Sequence, residues 1–484
     1  MISAQASPAA IEYVRILPEL VLSLFGIVIM LLDPLLDERS SQKTLGAVGL
    51  AGALAAILAT LYQAAYPGPG FWGMVNVDSF SVFFHFLVTA VTAVVILTSY
   101  EYMEVQQIRA GEYYGLILFG AVGMCLMSSA VELVLIFVAL EISSISTYVL
   151  AGFRRRAAIS SEASVKYFLL GSFATAFFLY GVALMFGATG STSIRVISQS
   201  LRSVQTPVLA YAGVALMFVG LGFKVAAAPF HVWTPDVYEG APSPIVGFMS
   251  TAPKAAVFAV LLRIVFEAHA PGSLWLVWVA AALSMILGNV AALVQSNVKR
   301  LLAYSSIAHA GYLLVAFAAL PENGIPAAMF YTAAYAAMNV GAFAVISHFA
   351  SAGERYVTLE DYAGLGRRSP LLAATLTIFL LSLIGIPITG GFFAKFYVFT
   401  AALQAHLTGL VIIGVLNSAV AAYYYLRVIV VMYMREARED TPVTPVPAGV
   451  AVALAVSMVA TIYLGVLPGR VLQFASRSAS ELLR

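Results

Sequence analysis

Residues 216–242 read LMFVGLGFKVAAAPFHVWTPDVYEGAP, an apolar segment that holds one lysine and continues into a proline-containing stretch. Between Leu216 and Ala228 the only charged side chain is Lys224, which is typical of a helix inside a membrane. Pro229 lacks a backbone N–H and clashes with the preceding turn, so we expect the helix to break there. The segment therefore predicts a membrane helix that is interrupted next to a buried charge.

The composition extends this interpretation to the whole chain. Of 484 residues, 25 are Lys or Arg and 23 are Asp or Glu, so charged residues make up 10% and hydrophobic residues 61%. Soluble domains carry about 25% charged residues, which excludes a soluble enzyme, a secreted disulfide scaffold and a disordered chain. The net charge of +2 argues against a basic nucleic-acid surface. The single Cys125 cannot form an internal disulfide or hold an iron–sulfur cluster.

Fourteen apolar runs have the length of a membrane-spanning helix, which needs about 20 residues. We therefore predict an all-α integral membrane protein with about 14 transmembrane helices in one polytopic domain, residues 1–484. We expect the first helix to be retained, because no basic segment precedes it. The predicted spans, numbered 1 to 14 in chain order, are 11–33, 44–66, 78–100, 113–129, 131–152, 161–187, 206–228, 241–265, 273–294, 300–320, 324–350, 369–402, 407–434 and 446–468.

The basic residues between the spans predict how the chain crosses the membrane. Connections after odd-numbered spans carry 13 Lys or Arg residues, whereas connections after even-numbered spans carry Arg195 and Arg202, with Arg263 near the end of span 8. By the positive-inside rule, the odd-numbered connections are cytoplasmic and both termini are periplasmic. The 13 residues are Arg39, Lys43, Arg109, Arg154, Arg155, Arg156, Lys299, Arg300, Arg355, Arg367, Arg368, Arg435 and Arg438.

Five ionisable side chains are predicted to lie well inside spans, where charge is costly and usually functional. They are Glu141, Lys224, Lys254, His309 and Lys395. Burial disfavours the charged form of a lysine and a nearby carboxylate favours it, so a lysine with a movable carboxylate partner can bind and release a proton. We predict that Glu141 sets the proton affinity of Lys224. Lys254 and His309 would pass the proton through water to Lys395.

Simpler roles stay open for two of these residues. Glu141 can be a protonated carboxyl that bonds Ser143 or a facing helix, and His309 can be a neutral imidazole that bridges two helices. In the stretch after Pro229, His231 either gates the break or bonds free carbonyls there. Two further acids of that stretch, Asp236 and Glu239, are expected to cap a short helix and span 8.

A second interrupted segment lies in span 12, where residues 385–391 read GIPITGG shortly before Lys395. Irregular backbone at membrane depth persists only where it is buried in protein or lines a wet cavity. Two interrupted segments in matching halves indicate an ion path. Glu141 and His309 are 168 residues apart, and Lys224 and Lys395 are 171 apart, which predicts two inverted five-helix units made of spans 4–8 and 9–13. Their predicted bounds are residues 113–265 and 273–434.

The chain carries no recognisable motif for a nucleotide or a redox group. Residues 364–366 read GLG but lack the third glycine of a dinucleotide-binding loop. There is no phosphate-binding loop and no Cys/His cluster with metal-ligand spacing. We therefore expect no cofactor in this chain, and we expect an ion gradient or a partner to supply the energy for ion movement.

The segment KVAAAPFHVWTPDVYEGAP, residues 224–242, resembles the signature of the antiporter-like subunits of respiratory complex I, and PFH-x-W-x-PDVYEGAP is most similar to their N-type branch. The resemblance covers nearly the whole chain. It implies that Glu141 matches the family's helix-5 glutamate and Lys224 its helix-7 lysine. Lys254 matches the helix-8 lysine and Lys395 the helix-12 lysine, and His309 is a looser match in helix 10. The short segment after span 14 also favours the N type over the L type.

The resemblance implies a membrane arm in the bacterial inner membrane, with K-type and M-type subunits as neighbours. Partner subunits would hold FMN and iron–sulfur clusters and transfer electrons from NADH to a quinone, and this chain would couple that reaction to proton pumping. One alternative is a cation/proton antiporter subunit with the same fold, although sodium prefers carboxylate and carbonyl ligands and the predicted path is rich in lysine. Another alternative is a purely structural membrane subunit.

Overall fold

The computed structural model describes residues 8–36, 38–108, 111–201, 207–268, 273–319, 321–350, 352–437 and 445–483. Of the basic residues that predict the orientation, Arg109, Arg202 and Arg438 lie outside the described residues.

The described chain is mostly helical, as its apolar runs predict. The α-helices are α1 Pro8–Val14, α2 Leu17–Leu32, α3 Glu38–Gln63, α4 Ser79–Gln106, α5 Gly111–Ser129, α6 Leu133–Ala151, α7 Ala158–Thr189, α8 Ile194–Ser200, α9 Pro207–Val225, α10 Thr234–Gly240, α11 Ser243–Ala268, α12 Ser273–Leu293, α13 Val298–Phe317, α14 Pro321–Phe349, α15 Leu365–Arg368, α16 Pro370–Ile384, α17 Gly390–Gln404, α18 Thr408–Met434, α19 Ala448–Val466 and α20 Pro468–Leu482. Short 3-10 turns lie at Asp33–Leu35, Phe71–Gly73, Ala352–Glu354 and Leu359–Tyr362. Two short strands, β1 Gly68–Gly70 and β2 Val75–Val77, pair antiparallel.

The predicted membrane architecture is confirmed. Within the described ranges, 13 helices are long and apolar enough to cross a membrane. Predicted span 12 is the fourteenth, and it is divided into α16 and α17, each of 15 residues. The grouping into two inverted five-helix units stays a prediction.

Both predicted helix breaks are present. α9 ends at Val225, before Pro229 is reached, because Ala226 adopts a positive φ of 60° that no α-helix contains. α16 ends at Ile384, where Gly385 has a φ of 95°, the left-handed conformation that commonly terminates helices. Each break leaves unpaired backbone groups beside one of the buried lysines.

Two central helices hold much of the candidate site. In the most hydrophobic segment of α11 every residue is buried. In the corresponding segment of α14, 89% of the residues are buried. α11 packs against α4, α5 and α14, and α14 also packs against α13, α16, α17 and α19. Polar side chains on these two helices therefore face protein rather than lipid.

Candidate functional site

Lys224 lies in the last turn of α9 and is buried. Its Nζ donates a hydrogen bond to the hydroxyl of Tyr148 at 2.7 Å and lies 4.5 Å from the centre of that ring. The ring of Tyr167 lies 5.5 Å away. One hydroxyl and two aromatic faces, which attract cations, therefore hold the ammonium group.

The structure does not bring Glu141 into contact with Lys224. Tyr148 follows Glu141 by seven residues on α6, which is about 10 Å along the helix axis. Oε1 of Glu141 is buried and accepts no hydrogen bond from any described residue. Val138 and Ile145, which flank it on the same helix face, are exposed. Glu141 thus lies at the edge of an outward-facing apolar surface, near enough for its charge to act on Lys224, but a direct ion pair between them requires movement.

Lys254 lies near the middle of α11 and is bound through α13. Its Nζ donates to the Oγ of Ser306 at 2.6 Å and to the carbonyl oxygen of the same residue at 3.2 Å. The hydroxyl of Tyr335, on α14, donates to the same Oγ at 2.8 Å. One serine hydroxyl therefore joins a buried ammonium group to a buried phenol.

His309 continues this arrangement one turn further along α13. Its ring centre lies 5.1 Å from that of Tyr335 and 5.7 Å from that of Tyr312. Nδ1 lies 2.7 Å from the hydroxyl of Tyr331, and Nε2 lies 3.4 Å from that of Tyr425. Both ring nitrogens thus face hydroxyls, which can either donate or accept, so the imidazole can hold its proton on either side.

Lys395 sits beside the break between α16 and α17. Its Nζ donates to the carbonyl oxygens of Leu383 at 3.1 Å and Ile384 at 2.8 Å, which are left free where α16 ends. The Nζ also lies 4.8 Å from the ring centre of Tyr312, which packs against His309. The broken helix therefore supplies the partners for a buried cation, and its negative C-terminal end favours that charge.

These contacts join three of the predicted residues into one buried line. The line, called the polar axis below, runs Lys254–Ser306–Tyr335–His309–Tyr312–Lys395. No hydrogen bond among the described residues connects the Lys224–Tyr148 pair to it. Serine and tyrosine hydroxyls form the first links, from Lys254 through Ser306 to Tyr335; the predicted linkage through water stays a prediction. Sequence reasoning missed these hydroxyls, although the four-residue spacing of Tyr331 and Tyr335 places both on one face of span 11.

A small cavity opens beside the polar axis. Thr251, Lys254, Ser306, His309 and Tyr335 contribute to its lining. A cavity with several polar groups suits an ordered water molecule. In the described part of the chain, no three His, Cys, Asp or Glu side chains come together as metal ligands.

The break after α9 is filled largely by Trp233. Its indole N–H donates to the carbonyl oxygen of Phe223 at 2.9 Å, and its ring stacks on Tyr167 at 4.4 Å. His231 is half-buried, and burial lowers the pKa of its imidazole, opposed in part by a backbone hydrogen bond at Pro229. Nδ1 of His231 has no hydrogen-bond partner among the described atoms. Its role as a gate stays a prediction.

The expectation that Asp236 and Glu239 cap helices is wrong. The N-cap of α10 is Trp233, with no side-chain cap, and both acids form ion pairs instead. Asp236 accepts from Lys166 at 2.8 Å and from Arg300 at 2.7 Å, and Glu239 accepts from Arg300 at 2.8 Å. Burial alone raises the pKa of Asp236, but the two cations outweigh it and the pKa is lowered. Ion pairs therefore fix the short helix between the break and α11.

A buried ion-pair cluster was missed from the sequence. Glu354 binds Lys299 at 2.5 Å and Arg154 at 3.3 Å, and it accepts hydrogen bonds from the hydroxyl of Tyr102 and the backbone N–H of Ser243. Burial alone raises the pKa of this carboxyl, but Lys299 and Arg154 outweigh it and hold the pKa below its ordinary value. Because both basic residues were counted as topology signals, nothing in the sequence singled out the cluster.

The chain was compared with known proteins. Residues 130–421 match the family described as NADH:quinone oxidoreductase/Mrp antiporter, transmembrane. A protein of Koribacter versatilis named NADH-quinone oxidoreductase subunit N 2 is 66% identical over the full length of both chains. NADH-quinone oxidoreductase subunit N 1 of Solibacter usitatus is 50% identical, covering 97% of this chain and 98% of that protein. A chain of respiratory complex I from Thermus thermophilus with bound aureothin superposes with a TM-score of 0.81 at 38% identity, covering 95% and 99% of the two chains.

Proposed function

The chain belongs to the NADH:quinone oxidoreductase/Mrp antiporter family, within it to the N subunits of NADH–quinone oxidoreductase, and we propose that its polar axis is the segment that carries protons. It is a proton-translocating subunit of the membrane arm of respiratory complex I, and it works as part of a proton-pumping oxidoreductase. Other membrane-arm subunits are its partners. The resemblance expected from residues 224–242 is thereby confirmed.

We also propose in which membrane the chain lies, on which side its termini are and which subunits are its neighbours. The chain lies in the bacterial inner membrane with both termini periplasmic, which the distribution of basic residues supports. K-type and M-type subunits are its neighbours. The half-exposed Glu141 supports a neighbour on the outer face of α6, because a carboxyl at mid-membrane is costly against lipid. NADH, FMN, iron–sulfur clusters and quinone belong to partner subunits, so this chain acts on protons alone.

One observation carries the proposal, namely that hydrogen bonds and ring contacts of serine, tyrosine and histidine side chains form a continuous buried line from Lys254 to Lys395. A hydroxyl both accepts and donates, so a proton that arrives at one side can be matched by a proton that leaves at the other. At the Lys254 end of the polar axis, hydrogen bonds connect Lys254 to Ser306 and Ser306 to Tyr335. From Tyr335 through His309 and Tyr312 to Lys395 the groups meet through ring contacts. The cavity beside Lys254, Ser306 and His309 has room for water at the Lys254 half of the path.

Glu141 and Lys224 act at the input of this path. Lys224 is bound to Tyr148 and lies apart from Glu141 in the structure. A movement of α6 or α9 that brings the carboxylate nearer stabilises the ammonium form, and a movement apart favours release of its proton. Electron transfer in partner subunits drives that movement.

The proposal is tested with membrane vesicles from a strain in which the gene for this chain is deleted and then restored. Restoration is expected to return quinone reduction by NADH together with proton uptake into inverted vesicles. The same chain, purified alone in liposomes, is expected to show no exchange of sodium for protons. Sodium/proton exchange by the chain alone, with NADH-driven uptake unaffected by the deletion, contradicts the proposal and favours an antiporter.

A further inference from the structure

A second set of buried ionisable groups lies in the N-terminal helices, apart from the polar axis. His85, on α4, is completely buried, and Glu19, in the first turn of α2, is 5% exposed. Their nearest atoms, Nε2 of the imidazole and Oε1 of the carboxyl, are 3.6 Å apart. Both residues lie outside residues 130–421, the part that matches the family.

The hydrogen bonds of His85 show which protons its ring carries. Nε2 lies 2.8 Å from the carbonyl oxygen of Cys125, which can only accept. Nδ1 lies 3.0 Å from Oε1 of Gln63. The amide of Gln63 cannot be reversed, because its Nε2 donates to the carbonyl oxygen of Arg15 at 2.5 Å and an oxygen there would face another oxygen. Both ring nitrogens therefore face acceptors, and an imidazole satisfies two acceptors only when it is doubly protonated.

Glu19 is the counter-ion of this buried cation. Neither of its carboxylate oxygens accepts a hydrogen bond from a described residue. A buried carboxylate without hydrogen bonds is costly, so the ring cation 3.6 Å away is what stabilises it. The same lack of donors means that a proton can be added to Glu19 without breaking any hydrogen bond.

The other charged groups around the pair are largely paired among themselves. Asp78, the N-cap of α4, binds Arg263 at 2.9 and 3.1 Å. Glu12 lies 3.8 Å from Arg15, which also donates to the carbonyl oxygens of Pro67 and Pro69. The thiol of Cys125, on α5, is a further titratable group near Glu19, and the ring of His85 lies 3.6 Å from the carboxyl.

We propose that Glu19 and His85 form a proton-binding site in the N-terminal helices, in which the Glu19 carboxylate takes up the proton and the His85 ring stays doubly protonated. Uptake adds one proton to a carboxylate oxygen and leaves every hydrogen bond of the ring in place. The proton comes from the water at the side of the even-numbered connections. Arg15, whose side chain is partly exposed, lies four residues before Glu19, in the turn between α1 and α2.

The test is infrared difference spectroscopy on the complete complex in membranes, recorded between alkaline and mildly acidic buffer. A carboxyl group without hydrogen bonds has a C=O stretching band well separated from those of exposed acids. We expect such a band to appear on acidification, to be lost in Glu19→Gln and to persist in Glu104→Gln, a matched change at an exposed glutamate. In His85→Gln the cation that stabilises the carboxylate is gone, so the band should appear at a pH higher by about one unit or more.

If the complex does not assemble with Glu19→Gln, Glu19→Asp takes its place, because the carboxyl is kept and displaced by one methylene. A changed band frequency in that variant supports the site. A spectrum that is the same in Glu19→Gln, or in Glu19→Asp, as in the unaltered complex overturns it. An unchanged midpoint in His85→Gln also overturns it, because the ring would then not set the proton affinity.

Discussion

The Nζ of Lys224 lies 2.7 Å from the hydroxyl of Tyr148, and this contact holds the lysine at the end of α9 while Glu141 remains apart. Tyr148 and Glu141 are both on α6, so a movement of that helix relative to α9 changes the distance of each from the ammonium group. Tyr148 is therefore the resting partner of Lys224, and Glu141 is the partner that it reaches on movement.

Tyr148→Phe is expected to slow proton pumping by the assembled complex roughly tenfold. The change removes a hydrogen bond to a charged group, worth about 1.5–3 kcal/mol, and frees Lys224 to remain with Glu141. NADH-driven proton uptake into inverted vesicles measures the effect. Tyr167→Phe is the matched control, since its ring lies beside Lys224 but its hydroxyl does not bind that lysine. Equal rates in both variants would refute the role of Tyr148.

Ser306→Ala is expected to slow pumping by a similar factor, about tenfold. The serine hydroxyl accepts from both Lys254 and Tyr335, so its loss interrupts the polar axis at one atom. Thr251→Val is the control, because this hydroxyl borders the same cavity but bonds only backbone carbonyls of its own helix. Pumping and quinone reduction are measured together in both variants. Unimpaired pumping in Ser306→Ala shows that protons take another route.

Much of the fold could be predicted from the sequence, because charge-free runs and glycine or proline at depth leave few alternatives. The breaks near Pro229 and Gly385 are examples. The tyrosines of the polar axis were not predicted, since a tyrosine in a span is usually packing and its hydroxyl partner depends on helix rotation. Glu19 was not singled out from the sequence as a candidate site residue. The ion pair between Glu239 and Arg300 joins distant parts of the chain, which local capping rules cannot reveal.

Glu354→Gln is expected to destabilise the subunit by about 3–5 kcal/mol, because Lys299 and Arg154 are left without their buried counter-ion. The pKa of Glu354 is lowered in the folded protein. Its carboxylate therefore contributes to the free energy of unfolding above the ordinary carboxyl pKa, and this contribution is lost as the pH falls through the lowered pKa. Thermal unfolding of the purified complex across this acidic range should show a flatter pH dependence in the variant.

The control for that measurement is Glu322→Gln, at an exposed position in the first turn of α14. It should leave both the unfolding temperature and its pH dependence nearly unchanged. A Glu354→Gln complex that unfolds like the control would show that the cluster does not stabilise the fold.

Glu141→Ala and Lys224→Ala are each expected to give a complex that assembles normally yet loses most coupled quinone reduction and proton transfer. Native gel electrophoresis checks assembly, and the two activities are measured on the same membranes. Lys43→Ala serves as a comparison, because this exposed lysine of α3 lies 3.9 Å from the exposed Glu104, apart from the path. Normal activity in the first two variants would favour a purely structural subunit.

The most direct test concerns Lys254, where the polar axis begins. Lys254→Met keeps an unbranched side chain that is one atom shorter and removes the ammonium group that Ser306 binds. Proton uptake per NADH oxidised is measured in inverted vesicles that contain the assembled variant complex. We expect uptake and quinone reduction both to fall about tenfold, as for Ser306→Ala. An assembled Lys254→Met complex that pumps at the normal rate and yield would contradict the claim that this line of residues carries the protons.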